Sequence, residues 1–191
     1  MSKIKCIGII AEDDSDFECS KIIIKRIINK NIPFKKAIGN GCGKMKRKAA
    51  AYAVDLKKRG CDMLILIHDL DRNNLTDLRI ELEKKLEKSP ICTQLICIPI
   101  EEIEGWFLSD PDGIAEIFNL KTKPKIKGSP ESVTSPKETL EKMVRLQSEN
   151  NTIYLNTKHN KVLAEKLSID LMKSKCQSFE QLHKFVAGQK Y

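Results

Sequence analysis

The stretch Asp62-Met63-Leu64-Ile65-Leu66-Ile67-His68-Asp69-Leu70-Asp71 decides the fold. Its apolar run is continuous rather than alternating, as a strand buried on both faces requires, and such strands belong to parallel sheets covered by helices. Reading outward finds the same unit repeated. Lys3–Ile10 is apolar and β-branched and reads as a first buried strand, Pro33–Ile38 as a second and Thr93–Ile100 as a fourth. Helical patterns stand between them. Ser15-x-x-Glu18 has the form of a capping box opening a helix to about Asn29, with Phe17, Ile24, Ile27 and Ile28 inward. Met45, Ala49, Tyr52 and Leu56 keep helical spacing after the loop Gly39–Gly43, and Leu75, Leu78, Leu82 and Leu86 mark a third helix. The alternation predicts an α/β, Rossmann-like fold with a doubly wound, mostly parallel four-stranded sheet.

Beyond residue 100 the pattern becomes helical. Glu101–Leu108 reads as a short helix, Asp110-Pro111 caps another reaching about Phe118, and 119–134 reads as an exposed loop. Ser135-Pro136-x-Glu138 suggests a further capping box, and two or three short helices follow, the last over Ser178–Ala187. The expected organisation is an α/β core over 1–118, with a basic loop and C-terminal helical extension over 119–191 packed on it as one domain.

Composition narrows the class. In 191 residues, 34 basic and 26 acidic side chains leave a formal charge of +8, with 41% hydrophobic and 31% charged residues. That balance excludes a disordered tail, and the longest apolar runs, such as Met63–Ile67, fall far short of the ~20 residues a membrane span needs. The first residues run straight into a strand-like segment rather than a secretory leader. Seven cysteines form an odd set without a C-x-x-C pair, so reduced thiols and a cytoplasmic location are expected.

The positive charge is clustered. Lys44, Lys46, Arg47 and Lys48 crowd one helix start, and Lys121, Lys123, Lys125 and Lys127 alternate through a segment with no acid between Glu116 and Glu131. Both clusters are candidates for binding nucleic acid, DNA or RNA, through its phosphates; a solvated lysine face is the plain alternative. The loop Gly39-x-Gly41-x-Gly43-Lys44 lacks the Ser or Thr of a phosphate-binding P-loop and reads as a turn.

The acids gather at strand ends. The first strand ends in Glu12-Asp13-Asp14-Ser15-Asp16, the third in His68-Asp69-Leu70-Asp71, and the fourth in Glu101-Glu102-Ile103-Glu104. Open parallel sheets bind ligands outside the carboxyl ends of their strands, where strand order reverses, and right-handed crossovers would bring these groups together there. Carboxylates so crowded raise one another's pKa unless a cation compensates, and oxygen donors alone suit Mg²⁺ or Mn²⁺. On extended backbone Asp69 and Asp71 would point the same way and share a metal; Glu12 and Asp16 would both face the crevice across the strand-to-helix turn.

Glu12 followed by Asp69-x-Asp71 resembles the Toprim domain. Glu12-x-x-x-Asp16, Asp69-x-Asp71 and the acids before Gly105-Trp106 are more specifically similar to the overcoming-lysogenization-defect (OLD) class of Toprim nucleases. The whole chain also resembles small stand-alone Toprim-like proteins, through Ile98–Asp110, Ser135–Lys137, Tyr154–Lys158 and Cys176–Phe179. The resemblance implies a Toprim-like fold and a two-metal nuclease. Glu12, Asp16, Asp69, Asp71 and Glu104, with Glu102 beside them, would be metal ligands; Glu12, Asp69, Asp71, Glu104 and Lys158 would carry catalysis, the lysine near the scissile phosphate. It further implies an ABC/OLD-type ATPase as partner, a role in phage defence and a homodimer. Asp13 stands where Toprim proteins usually have glycine.

Two rivals stand beside it. A Toprim fold can bind nucleic acid or a protein without cutting. A two-component receiver also places acids after its first and third strands, but it needs Ser or Thr after the fourth, where Glu101-Glu102 stands here.

Overall fold

Strands β1 (Ile7–Ala11), β2 (Phe34–Ile38), β3 (Met63–Ile67) and β4 (Thr93–Cys97) pair in the order β2-β1-β3-β4, each pair parallel. The computed structural model describes residues 3–191, so Met1 and Ser2 of the expected core lie outside the described residues. The central strands β1 and β3 are buried at every position, and the edge strands β2 and β4 only in part, which is why β3 shows no alternation. The first and fourth strands are shorter than their apolar runs. Before Ile7 the backbone bonds elsewhere, with Ile4 N donating to Lys190 O at 2.7 Å; beyond Cys97 the chain reaches Pro99, which has no N–H for a ladder.

The reversal of direction at β1 puts the crossover helices on both faces. Phe17, Ile23 and Ile24 of α1 (Asp14–Ile28) pack with Ile7, Ile9, Met63 and Ile65. Met45 and Ala49 of α2 (Cys42–Lys58) and Leu78 and Leu82 of α3 (Leu75–Leu86) pack with Ile10, Leu64 and Leu66 on the opposite face. Gly39 ends β2 where a Cβ would stand 2.4 Å from that of Met45, so only glycine lets α2 start so close to the sheet edge.

The rest of the chain thickens the α1 face. It forms α4 (Glu104–Phe107), α5 (Pro111–Phe118), a 3₁₀ turn (Pro130–Ser132), α6 (Pro136–Gln147), α7 (Asn156–Lys166), α8 (Ile169–Lys175) and α9 (Gln177–Ala187). Helix α7 lies along α1, and α9 lies against α1 and β4. Leu140, Leu163, Phe179 and Leu182 join the core cluster that holds Ile7 and Met63, so one core continues across residue 118. The loop over 119–134 is largely exposed, although Leu120 bridges to Ser148 and Pro124 and Pro130 are buried. Among the described residues no helix is long and apolar enough to cross a membrane.

Two capping boxes expected from the sequence do not form. Asp13, not Ser15, caps α1, accepting from Asp16 N at 3.0 Å, and the Ser135 side chain makes no cap bond on α6. The Glu102 carboxylate accepts from Lys137 N in the first turn of α6 at 2.9 Å instead. Glu131 does the same for α9, accepting from Gln177 N at 2.7 Å and Ser178 N at 3.0 Å, while Trp106 Nε1 donates to Ser178 Oγ at 2.8 Å. Asp110 caps α5 as expected, accepting from Gly113 N, and its other oxygen accepts from Ser168 N before α8. Trp106 is fully buried and meets Phe179 edge-on at 5.2 Å, fastening α4 to α9.

Candidate functional site

Three acids reach the carboxyl edge of the sheet on its α1 face. Asp16 sits in the first turn of α1, directly after the cap at Asp13. The turn is fixed from behind by the loop after β2, where Gly39 N donates to Ala11 O and Asn40 N to Glu12 O, both at 2.9 Å. Asp69 follows β3 by two residues and keeps the parity of Met63, Ile65 and Ile67, whose side chains face α1. Its neighbour His68 points to the other side, is buried, and donates from Nδ1 to Asp69 O at 2.6 Å, which holds the backbone beneath the carboxylate. Glu104 opens α4 and is only 5% exposed.

Beyond the effect of burial, Glu104 raises both aspartates, and Asp16 also raises Asp69. Asp16 is pushed up to about 8, first by burial and then by the charges of Asp13, Glu104 and Glu12. Asp69 is pushed well above the usual carboxylate range, first by burial and then by Asp16, Glu104, Asp71 and Glu102. Cys19, fully buried one turn along α1 from Asp16, registers the same group: burial raises its thiol, and Glu104, Asp16 and Asp69 raise it further. Asp69 Oδ1 is sealed from solvent without a hydrogen-bond partner. A buried carboxyl oxygen left without a partner is costly, by about 1–3 kcal/mol.

Glu104 is held differently. Its Oε1 accepts from Tyr154 Oη at 2.9 Å and from Asn160 Nδ2 at 3.1 Å, and Tyr154 and Asn160 also contact one another. Tyr154 is therefore a buried packing and hydrogen-bonding residue, not a platform for a base; His159 stacks on its ring and Phe118 meets it edge-on. Sequence reasoning missed Asn160, which has no local signal. It reaches Glu104 only because α7 lies against α1 and α4.

The other expected ligands flank this group. Glu12 is half-buried beside Asp16, and Asp71 is exposed beside Asp69. Asp71 is not on extended backbone as expected: β3 ends at Ile67, and Asp71, Arg72 and Glu101 all have positive φ (47°, 62° and 58°). These left-handed residues interlock, Asp71 N donating to Glu101 O at 3.2 Å and Arg72 N to Glu101 Oε2 at 3.2 Å. Strained non-glycine backbone of this kind is concentrated at functional sites. It borders a cavity of about 200 Å³ lined by Asp71, Glu101, Glu102 and Glu138. Glu102 is raised by burial, but its carboxylate is engaged in capping α6. As the side chains stand, no three His, Cys, Asp or Glu residues among the described residues are close enough together to hold a metal ion.

Lys158 is exposed in the first turn of α7, whose start abuts α1 through Ser15 Oγ and Asn156 O at 3.5 Å, so the lysine belongs to the same edge. The basic clusters are less uniform than their spacing suggested. Lys46 is paired to Glu81 at 2.9 Å and Lys123 to Asp112 at 2.7 Å. Arg47, Lys48, Lys121, Lys125 and Lys127 are exposed, and Lys44 is half-buried where α2 begins.

A doubly wound parallel sheet with partly buried acids at the edge where its strand order reverses defines the class: a Rossmann-like α/β protein. The chain belongs to the family described as "Domain of unknown function (DUF4276)", whose sequence model matches residues 11–187. Comparison with curated proteins and with solved structures gives no match.

Proposed function

We propose that the chain is a divalent-metal-dependent nuclease that hydrolyses phosphodiesters at the edge formed by Asp16, Asp69 and Glu104. One observation carries this reading: carboxylates that follow three separate strands, Glu104 buried and Asp16 and Asp69 half-buried, crowd one another, and Asp69 Oδ1 is sealed without a partner. All-oxygen donors under mutual repulsion fit Mg²⁺ or Mn²⁺. Asp16, Asp69 and Glu104 would hold the metal, with Glu12 and Asp71 completing the set from either flank. When bound, the metal supplies Lewis-acid activation of a phosphoryl oxygen and of water.

The chain's own residues prepare that chemistry. Tyr154 and Asn160 orient Glu104, and His68 steadies Asp69 from behind. Asp16, pushed up to about 8, must release its proton as ligand binds, and Asp69 is shifted in the same direction, so affinity rises with pH. Lys158 supplies positive charge for the phosphate. The resemblance to OLD-type nucleases supports the same assignment and implies two ions, a cytoplasmic setting and an ATPase partner. Separated donors also favour a second reading, a nucleic-acid-binding or protein-binding module that does not cut.

The test is thermal unfolding and cleavage of labelled DNA and RNA, with and without Mn²⁺ or Mg²⁺. The nuclease reading expects a metal-dependent rise in Tm and cleavage, both lost in Asp69→Asn/Asp71→Asn while circular dichroism is unchanged. Cleavage that survives EDTA or the double substitution overturns it; a metal-dependent Tm without cleavage supports the binding module.

A further inference from the structure

A groove with a volume of about 700 Å³ lies away from the acids, between α1 and α7. Two contacts fix how it runs. Ser15 Oγ meets Asn156 O at 3.5 Å at one end, and Arg26 Nη1 donates to Ala164 O at 2.6 Å at the other. The helices are therefore side by side and parallel, and the groove runs along them from Glu18, half a turn beyond Asp16, toward Asn31 at the opposite edge of the sheet.

Its lining is strongly basic. Lys21, Lys25, Arg26 and Lys30 come from α1 and the turn after it, and Lys161 from α7, against two acids, Glu18 and Glu165. Glu18 is already paired with Lys21 at 3.2 Å. Lys161 stands one turn beyond Lys158, so α7 continues the row of charge from the acidic edge into the groove. A concave surface of one sign focuses the field more than the same charges on a convex helix such as α2. From Asp16 to Lys25 the α1 axis covers about 14 Å at 1.5 Å per residue. That is room for a short run of phosphates along one strand.

We propose that the α1–α7 groove is the track for the sugar–phosphate backbone of one nucleic-acid strand, delivering it to the carboxylate edge. The role as delivery track rests on the nuclease reading; the binding does not need it. It is a different path from the two expected from sequence, along the start of α2 and along the loop that holds Lys121, Lys123, Lys125 and Lys127.

The experiment is fluorescence anisotropy of a labelled 20-nucleotide single strand against the full chain in EDTA, where no cleavage occurs. Lys25 and Lys161 are exposed, so Lys25→Glu/Lys161→Glu should fold, as circular dichroism checks. It is expected to weaken binding at least tenfold and to flatten the slope of log K against log salt by about 1.4. The charge-matched Lys84→Glu/Lys88→Glu, on and beyond α3, should lose less than threefold. No binding by the unaltered chain, equal losses in the two variants, or a larger loss in Lys44→Glu/Lys48→Glu overturns the groove. Binding lost as expected but no metal-dependent cleavage leaves the groove standing and removes the nuclease reading.

Discussion

Tyr154 Oη donates to Glu104 Oε1 at 2.9 Å, joining two residues fifty positions apart inside the protein. The bond ties the start of α4 to the segment leading into α7, and Asn160 doubles it from one turn further on. Glu104 thus owes its orientation to a part of the chain that carries none of the other acids.

Tyr154→Phe keeps the ring and removes the donor. It should cost about 1–3 kcal/mol in urea unfolding, because a buried acceptor loses a partner. If the nuclease reading holds, it should also weaken Mn²⁺ binding measured by calorimetry. Stability unchanged within error would show that Asn160 alone suffices.

The acidic edge should make stability fall as pH rises. Asp16 has a folded-state value of about 8 against an ordinary 3.8, so between those values the folded protein binds more protons than the unfolded chain. Its contribution is therefore most favourable below about pH 4 and is lost progressively up to about pH 8; Asp69 shifts in the same direction. Asp16→Asn should flatten the slope of unfolding free energy against pH and raise stability at pH 8. A tenfold difference in proton affinity between the folded and unfolded chains corresponds to about 1.4 kcal/mol, well within measurement.

Mn²⁺ should reverse that pH effect. At pH 8 its addition is expected to raise Tm more than at pH 5.5, since fewer protons must then be displaced from the ligands. In Asp69→Asn the gain should shrink at both values. A Tm insensitive to the ion at pH 8 would count against an ion at this edge.

Glu102→Gln separates helix capping from ligation. If the carboxylate serves chiefly to cap α6, the change costs about 0.5–2 kcal/mol and leaves Mn²⁺ affinity within threefold. A tenfold loss of Mn²⁺ affinity with the fold intact would make Glu102 a ligand as the sequence suggested.

What could be read in the sequence was governed by pattern. The uninterrupted run Met63–Ile67 announced a central parallel strand, and the β-α alternation announced a doubly wound parallel sheet; the order β2-β1-β3-β4 came with the fold. Of the three caps expected, only Asp110 was readable. Ser15 and Ser135 have the right neighbours, yet Asp13 and Glu102 make the bonds, the latter from 35 positions upstream, because capping is decided by whichever carboxylate the fold brings to the free amides. Asp71 failed for a related reason: strand length depends on the partner strand, and once β3 stopped at Ile67 the two-residue alternation no longer governed it. The basic groove escaped notice because its cations lie on helices more than a hundred residues apart.

The contact of α1 with α7 and α9 has a consequence for biosynthesis. Helix α1 presents its apolar side to helices translated more than a hundred residues later, and Ile4 N waits for Lys190 O. A nascent chain that has emerged as far as the four strands still lacks the cover for that side and the tyrosine that seats Glu104. Long-range closure of this kind slows folding. It also means that the acidic edge is completed only after its own residues have long left the ribosome.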